Sequence, residues 1–132
     1  MLLYLASNGK STLIDRAATE KELTVKKLVG RFSLKSFVTK DMRNYAAAKY
    51  FVVDAACTEE SAGDFTVALQ SFQMMFSARI IVILSGCENA EDYISRLTAA
   101  GVTNIVTADT TEAVTEELSE CLSEEGMQKY LP

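Results

Sequence analysis

A phosphate-binding loop is the first chemistry that the sequence suggests, because residues 8–12 read Asn-Gly-Lys-Ser-Thr. The Walker pattern requires another glycine five residues before Gly9, so that backbone amides can wrap the phosphates. Tyr4 occupies that position. We therefore predict an ordinary turn that leads into a helix, with room for a lone anion only.

A carboxylate at the end of a buried strand is the second candidate. Asp54 follows the apolar residues 50–53 directly. A carboxylate in that position can be a phospho-acceptor, a metal ligand or an acid of the Walker-B kind, or it can cap the following turn through the backbone. Asp54 alone does not decide between these roles.

The three cysteines offer a third kind of chemistry. Cys57 and Cys87 follow two strands that are predicted to be neighbours, and Cys121 lies on an apolar helix stripe. A reactive thiol needs a lowered pKa, and no cation lies near either thiol in sequence. We predict inert apolar residues, and an odd, sparse cysteine count fits a reducing cytoplasm.

Composition excludes several functions. The 132 residues fit one domain, contain no histidine and carry a net charge of −5, so His-based nucleophiles and His zinc sites are ruled out. The acidic balance argues against nucleic-acid binding, and no apolar run is long enough to span a membrane. Residues 1–50 carry +6 and residues 51–132 carry −11. This separation reflects either solvated acidic helices or a basic face for an acidic partner, a lipid surface or DNA.

Alternating strands and helices must position the candidate residues. Four apolar runs bounded by turn residues predict strands covered on both faces, and apolar residues at three- and four-residue steps predict helices between them. The strands are predicted at 2–6, 50–54, 79–84 and 103–107, and the helices at 11–18, 41–48, 61–77, 89–100 and 110–123.

A fifth strand must lie between residues 23 and 38. Residues 34–38 alternate as a half-exposed strand does, and residues 23–28 are the alternative for part of it. The resulting order predicts an α/β, flavodoxin-like, doubly wound parallel sheet of order 2-1-3-4-5, with helices on both faces. Ligands of such sheets bind beyond the carboxyl ends of the strands, where residues 7–9, 54–57, 85–87 and 107–109 should meet.

The strand ends resemble a known family. Residues 51–54, 83–86 and 99–102 resemble the corresponding segments of receiver domains of two-component response regulators. The resemblance implies aspartyl phosphorylation, which uses an acidic pair after the first strand, an acceptor aspartate, a hydroxyl and a lysine. Asp54 matches the acceptor and Ser85 the hydroxyl.

The rest of that pocket is degenerate. Ser7 and Asn8 stand in place of the acidic pair, and Thr107 stands in place of the lysine. One carboxylate holds Mg²⁺ weakly, and without metal or lysine nothing stabilises a transferring phosphoryl group. The resemblance therefore implies a pseudo-receiver that is not an enzyme and has no cofactor and no metal.

Pseudo-receivers occur at the N-terminus of ParA/MinD-type ATPases that place pili or secretion machinery in bacterial cells. Resemblance to them implies that residues 1–132 form one cytoplasmic domain, which is either the N-terminal part of such an ATPase or a stand-alone relative. The domain would direct localisation or dimerisation of the ATPase by binding a protein or a second copy. The alternatives are a working receiver phosphorylated on Asp54 and a small-ligand binder at the strand ends.

Receivers use the face of their last two helices and last strand for contacts. In this chain that face corresponds to 89–100, 103–107 and 110–123. The glutamates of the last helix are either solvated or a docking face for a basic partner. The residues expected to contribute to the interface are Tyr93, Arg96, Asn104 and Glu117.

Overall fold

Five parallel strands form one sheet in a computed structural model that describes all 132 residues, and their order is β2-β1-β3-β4-β5. Helices cover both faces of the sheet, so the predicted flavodoxin-like fold class is confirmed. The strands are β1 (Leu2–Ala6), β2 (Val25–Val29), β3 (Tyr50–Asp54), β4 (Arg79–Ile83) and β5 (Ile105–Val106).

The first four helices connect consecutive strands, as parallel pairing requires, and the fifth follows the last strand. The second helix continues as a π-helical turn (Phe37–Asp41) and a 3-10 turn (Met42–Tyr45), and residues 34–45 together are called the α2 segment. The helices are α1 (Asp15–Glu20), α2 (Leu34–Ser36), α3 (Ala62–Met75), α4 (Ala90–Ala99) and α5 (Thr111–Cys121).

Two hydrophobic cores result from side chains that alternate along the strands. Leu3 and Leu5 of β1 join the core under the α2 segment, α3 and α4. Leu2 and Tyr4 point the other way, into the core under α1 and α5. The central strands β1, β3 and β4 are buried on both faces, which explains their continuous apolar sequences.

Of the two positions predicted for the fifth strand, 34–38 is wrong, because these residues are helical, and the alternative at 23–28 overlaps the observed edge strand Val25–Val29. Ser33 caps the helix through its side chain, which accepts a hydrogen bond from the Ser36 amide. The Glu60 carboxylate also accepts hydrogen bonds from the amides of Leu34 and Lys35, each at 2.9 Å. A distant loop thus fixes the first helical turn.

Other boundaries differ less. The helix predicted at 11–18 begins only at Asp15, and the helix predicted at 41–48 is a single 3-10 turn. The three later helices lie within the predicted ranges, and Thr110 caps the last of them by accepting from the Ala113 amide. None of the helices combines the length and apolarity that a membrane crossing requires.

Candidate functional site

Asp54 lies at the carboxyl end of β3 with no exposed side-chain surface. One carboxylate oxygen accepts a hydrogen bond from the Ala56 amide at 3.0 Å, which starts the 3-10 turn after the strand. The other accepts from the Ser7 hydroxyl, and the Ser7 amide lies 3.4 Å from it. Both oxygens are therefore engaged by protein groups before any ligand is considered.

The ammonium group of Lys10 completes this cluster. Lys10 Nζ donates to the Ser85 carbonyl oxygen at 2.8 Å and lies 3.8 Å from Asp54 Oδ1. The Tyr4 hydroxyl donates to the Lys10 carbonyl at 2.8 Å, which holds the loop after β1 in place. Lys10 thus joins the carboxyl ends of β1, β3 and β4, and it supplies the charge that balances the buried carboxylate.

Lys10 is not among the residues predicted for this pocket. Its place in the turn after β1 puts it at the correct edge of the sheet, which is the one signal that the sequence contains. Gly9, with φ of +86°, allows the tight turn that brings Lys10 back toward the strand ends.

The five predicted pocket residues are only partly brought together. Ser7 and Asp54 are in direct contact, and Ser85 joins them through Lys10. Asn8 is exposed to solvent. Thr107 is half-buried, and its amide donates to the Glu117 carboxylate at 2.9 Å rather than to any group around Asp54.

Ser85 has an unusual hydroxyl. The residue is only 7% exposed, and its Oγ has no hydrogen-bond partner. The backbone carbonyl of Ser85, rather than its side chain, binds Lys10. A buried hydroxyl without a partner loses the solvation that it has in the unfolded chain.

The residues present do not fit the magnesium ion that a working receiver requires. Asp54 is the one carboxylate of the cluster, and no group of three acidic, histidine or cysteine residues in the structure could hold a metal ion. The Lys10 ammonium, 3.8 Å from the carboxylate, also repels a divalent cation placed there. The aspartate is therefore balanced by an internal cation and hydrogen-bonded by the protein itself.

Burial disfavours the thiolate form of the two cysteines near this edge. Burial and, second to it, the nearby Asp54 carboxylate raise the pKa of Cys57 to about 12. Burial also raises the pKa of Cys87, although Lys10 acts in the opposite direction. Both shifts oppose thiolate formation, in agreement with the expected inert thiols.

Of the predicted interface residues, only Arg96 is exposed, and it pairs with Asp92 at 3.0 Å. The expectation for Tyr93 is wrong, because the residue is 6% exposed and its ring packs edge-on against Phe65. Asn104 and Glu117 are half-buried. Both accept hydrogen bonds from backbone amides, Asn104 from Met127 at 2.9 Å.

Comparisons of the chain with protein-family models, with curated proteins and with solved structures gave no match. The fold class therefore rests on the sheet order, and the nature of the site rests on the contacts around Asp54.

Proposed function

We propose that the protein is a non-catalytic, receiver-like module that acts through contacts with other proteins. The observation that carries this proposal is that Asp54 is the one carboxylate of its cluster, with both oxygens bound by protein groups, so the further oxygen ligands that a metal ion needs are missing. An aspartate whose two oxygens are both engaged, and whose counter-charge is internal, does not need a metal and does not present a free nucleophile. Regulation would then come from binding and not from phosphorylation.

The finer role in this proposal follows from the family resemblance. A module of this kind would direct the localisation or the dimerisation of a ParA/MinD-type ATPase in the bacterial cytoplasm. Three free cysteines, two of them buried, are compatible with a reducing compartment.

Incubation with acetyl phosphate and Mg²⁺, followed by intact-protein mass measurement, tests the proposal. We expect no gain of a phosphoryl group by the natural protein, whereas a working receiver treated in parallel shows that the reagent is active. A gain of one phosphoryl group that disappears in Asp54→Asn would instead identify a working receiver.

A small-ligand site at the strand ends is the second candidate, and the unpartnered Ser85 hydroxyl favours it. Thermal unfolding in the presence of nucleotides and phosphosugars tests it, because a ligand that binds the folded state raises its apparent stability. A stabilisation that is lost in Ser85→Ala would support this candidate. The absence of stabilisation at millimolar ligand would remove it.

A further inference from the structure

The loop after β1 contains an asparagine that is followed directly by a glycine. Asn8 and Gly9 are both exposed to solvent. Within residues 7–10, hydrogen bonds are formed by Ser7 and Lys10, and none involves the Asn8 side chain or the Gly9 amide. The side-chain carbonyl of Asn8 and the backbone nitrogen of Gly9 are therefore free to react with each other.

Gly9 leaves its own backbone nitrogen open to attack on the preceding side chain. A Cβ atom placed on Gly9 would meet no atom within 4 Å apart from its chain neighbours. Glycine also has the backbone freedom to bring its nitrogen toward the preceding side chain, because it has no Cβ. The space around Gly9 is therefore open to the Asn8 side chain and to water.

The other three asparagines of the chain lack this combination. Asn44 lies in a 3-10 turn and precedes a tyrosine, and Asn89 precedes an alanine at the start of α4. Asn104 is half-buried, precedes an isoleucine and accepts a hydrogen bond from the Met127 amide at 2.9 Å. Asn8 is thus distinguished from the others both by its neighbour in sequence and by its surroundings in the fold.

We propose that Asn8 is a site of spontaneous deamidation, with water as the co-reactant. The Gly9 nitrogen attacks the side-chain carbonyl carbon of Asn8, and the side-chain amide group leaves as ammonia together with the Gly9 proton. Water then opens the resulting cyclic succinimide. Cleavage between the Gly9 nitrogen and the side-chain carbonyl carbon gives aspartate, whereas cleavage between that nitrogen and the main-chain carbonyl carbon gives isoaspartate. Both products carry one additional negative charge.

The isoaspartate product changes the turn that positions Lys10. Its main chain runs through the former side chain, so one methylene group is added between residues 8 and 9. At present a hydrogen bond from the Lys10 amide to the Ser7 carbonyl at 3.1 Å closes the turn, and Lys10 Nζ reaches the Ser85 carbonyl at 2.8 Å. A longer main chain breaks this geometry, so the buried Asp54 carboxylate loses its cation. The aspartate product keeps the length of the turn.

Deamidation would make this loop a slow covalent switch that weakens the contact between Lys10 and Asp54 as the protein ages. The inference goes beyond the proposed function, since the reaction needs neither a protein partner nor a phosphoryl donor.

Incubation of the full chain at mildly alkaline pH, followed by mass measurement of tryptic peptides, tests the site. The peptide of residues 1–10 should gain about 1 Da as the amide becomes an acid. This conversion should be at least about tenfold faster than conversion of Asn44, Asn89 or Asn104. The rate should increase with pH, because the attacking Gly9 nitrogen must lose its proton. A protein isoaspartate methyltransferase with labelled S-adenosylmethionine should methylate the aged chain and leave the fresh chain unlabelled.

Matched variants locate the reaction. Asn8→Gln keeps an amide but moves it one methylene group further from the Gly9 nitrogen, so methylation of the aged chain should be lost. Asn89→Gln makes the same change at another exposed asparagine, whose side chain does not cap α4. Methylation of this control should equal that of the natural protein, and circular dichroism verifies that both variants are folded.

Pulse proteolysis of the aged mixture at increasing urea concentration tests the effect on the Lys10 loop. Chains with isoaspartate at position 8 should be digested at a lower urea concentration than chains with aspartate there, and Asn8→Asp should be digested with the latter. The site is overturned if Asn8 converts no faster than the other three asparagines, or if methylation persists in Asn8→Gln. The switch is overturned if isoaspartate and aspartate chains are digested at the same urea concentration.

Discussion

Lys10 and Asp54 form an ion pair in which the ammonium nitrogen lies 3.8 Å from the carboxylate. The aspartate side chain has no exposed surface, whereas 29% of the lysine side chain is exposed. Water cannot solvate this carboxylate, so its charge depends on Lys10 and on hydrogen bonds from Ser7 and Ala56. Breaking such a pair from one side leaves an uncompensated buried charge.

Replacement of the lysine should therefore destabilise the fold. We expect Lys10→Met to lower the free energy of unfolding by about 2 kcal/mol, below the range for fully buried pairs because the lysine is partly exposed. Urea unfolding measures the change. Lys21→Met, at an exposed lysine without an ion pair, should change the same quantity by less than about 0.5 kcal/mol.

A double variant separates the pair from other effects of the lysine. Adding Asp54→Asn to Lys10→Met removes the stranded charge, so the double variant should be more stable than additivity of the two single variants predicts. Additive changes would mean that Lys10 stabilises the loop by packing alone and does not balance the charge of Asp54.

Replacement of the two serines of the site by alanine should have different effects on the free energy of unfolding. Ser7→Ala removes a hydrogen bond to a charged group, and we expect it to lower the free energy of unfolding by about 1.5 kcal/mol. Ser85→Ala removes a buried hydroxyl without a partner, and we expect it to leave stability unchanged or to raise it by up to about 1 kcal/mol. Urea unfolding of both variants provides the comparison. A large loss in Ser85→Ala would show that its hydroxyl has a partner, such as bound water.

The fold was predictable where burial is complete. The strands β1, β3 and β4 lie in the middle of the sheet, so their sequences are apolar without interruption. β2 is an edge strand that contains two lysines, one of them paired with Asp15 at 2.6 Å, and its sequence is therefore only weakly apolar. Residues 34–38 carry apolar side chains that suit both a strand and a helix. Ser33 and the distant Glu60 favour the helix, and the contribution of Glu60 is tertiary.

The candidate site was likewise predictable from the sequence only in part. The predicted strand order was sufficient to place Asp54, Ser7 and Ser85 at the same edge of the sheet. The position of Lys10 depends on a turn and on a long side chain, and neither has a periodic pattern in the sequence. Tyr93 was predicted to contribute to an interface, whereas α3 and α4 pack together and bury its ring against Phe65.

Buried thiols should make stability fall at high pH. Burial raises the pKa of Cys57 and of Cys121 to about 12, whereas a thiol in an unfolded chain has a pKa of about 8.5. Between these values the unfolded chain loses protons that the folded protein keeps, so the free energy of unfolding decreases as pH rises. The contribution of these thiols to the free energy of unfolding is fully present below about pH 8.5. Above that pH, each thiol lowers the free energy of unfolding by up to about 1.4 kcal/mol per pH unit.

Urea unfolding under reducing conditions from about pH 8 to about pH 10.5 measures this slope. Cys121→Ala should make the slope less steep by up to about 1.4 kcal/mol per pH unit, whatever its effect on absolute stability. Thr66→Ala removes a buried polar group that does not titrate, so it should lower stability without changing the slope. Equal slopes in the natural protein and in Cys121→Ala would mean that this thiol ionises in the folded state as readily as in the unfolded one.

Restoring the missing carboxylates tests what keeps a divalent cation away from Asp54. In the variant Ser7→Asp, Asn8→Asp, Lys10→Met, two new carboxylates lie on the loop beside Asp54 and the internal cation is gone. Three carboxylates supply the oxygen ligands that Mg²⁺ requires, and their mutual repulsion destabilises the fold until a cation binds. We therefore expect this variant to unfold at a lower temperature than the natural protein. Millimolar Mg²⁺ should raise its Tm, and NaCl of equal ionic strength should raise it less.

Lys10→Met alone still has a single carboxylate, so its Tm should not respond to Mg²⁺. If the natural protein gains as much from Mg²⁺ as the triple variant, Asp54 binds the metal without further carboxylates and despite Lys10, which contradicts the proposed non-catalytic module.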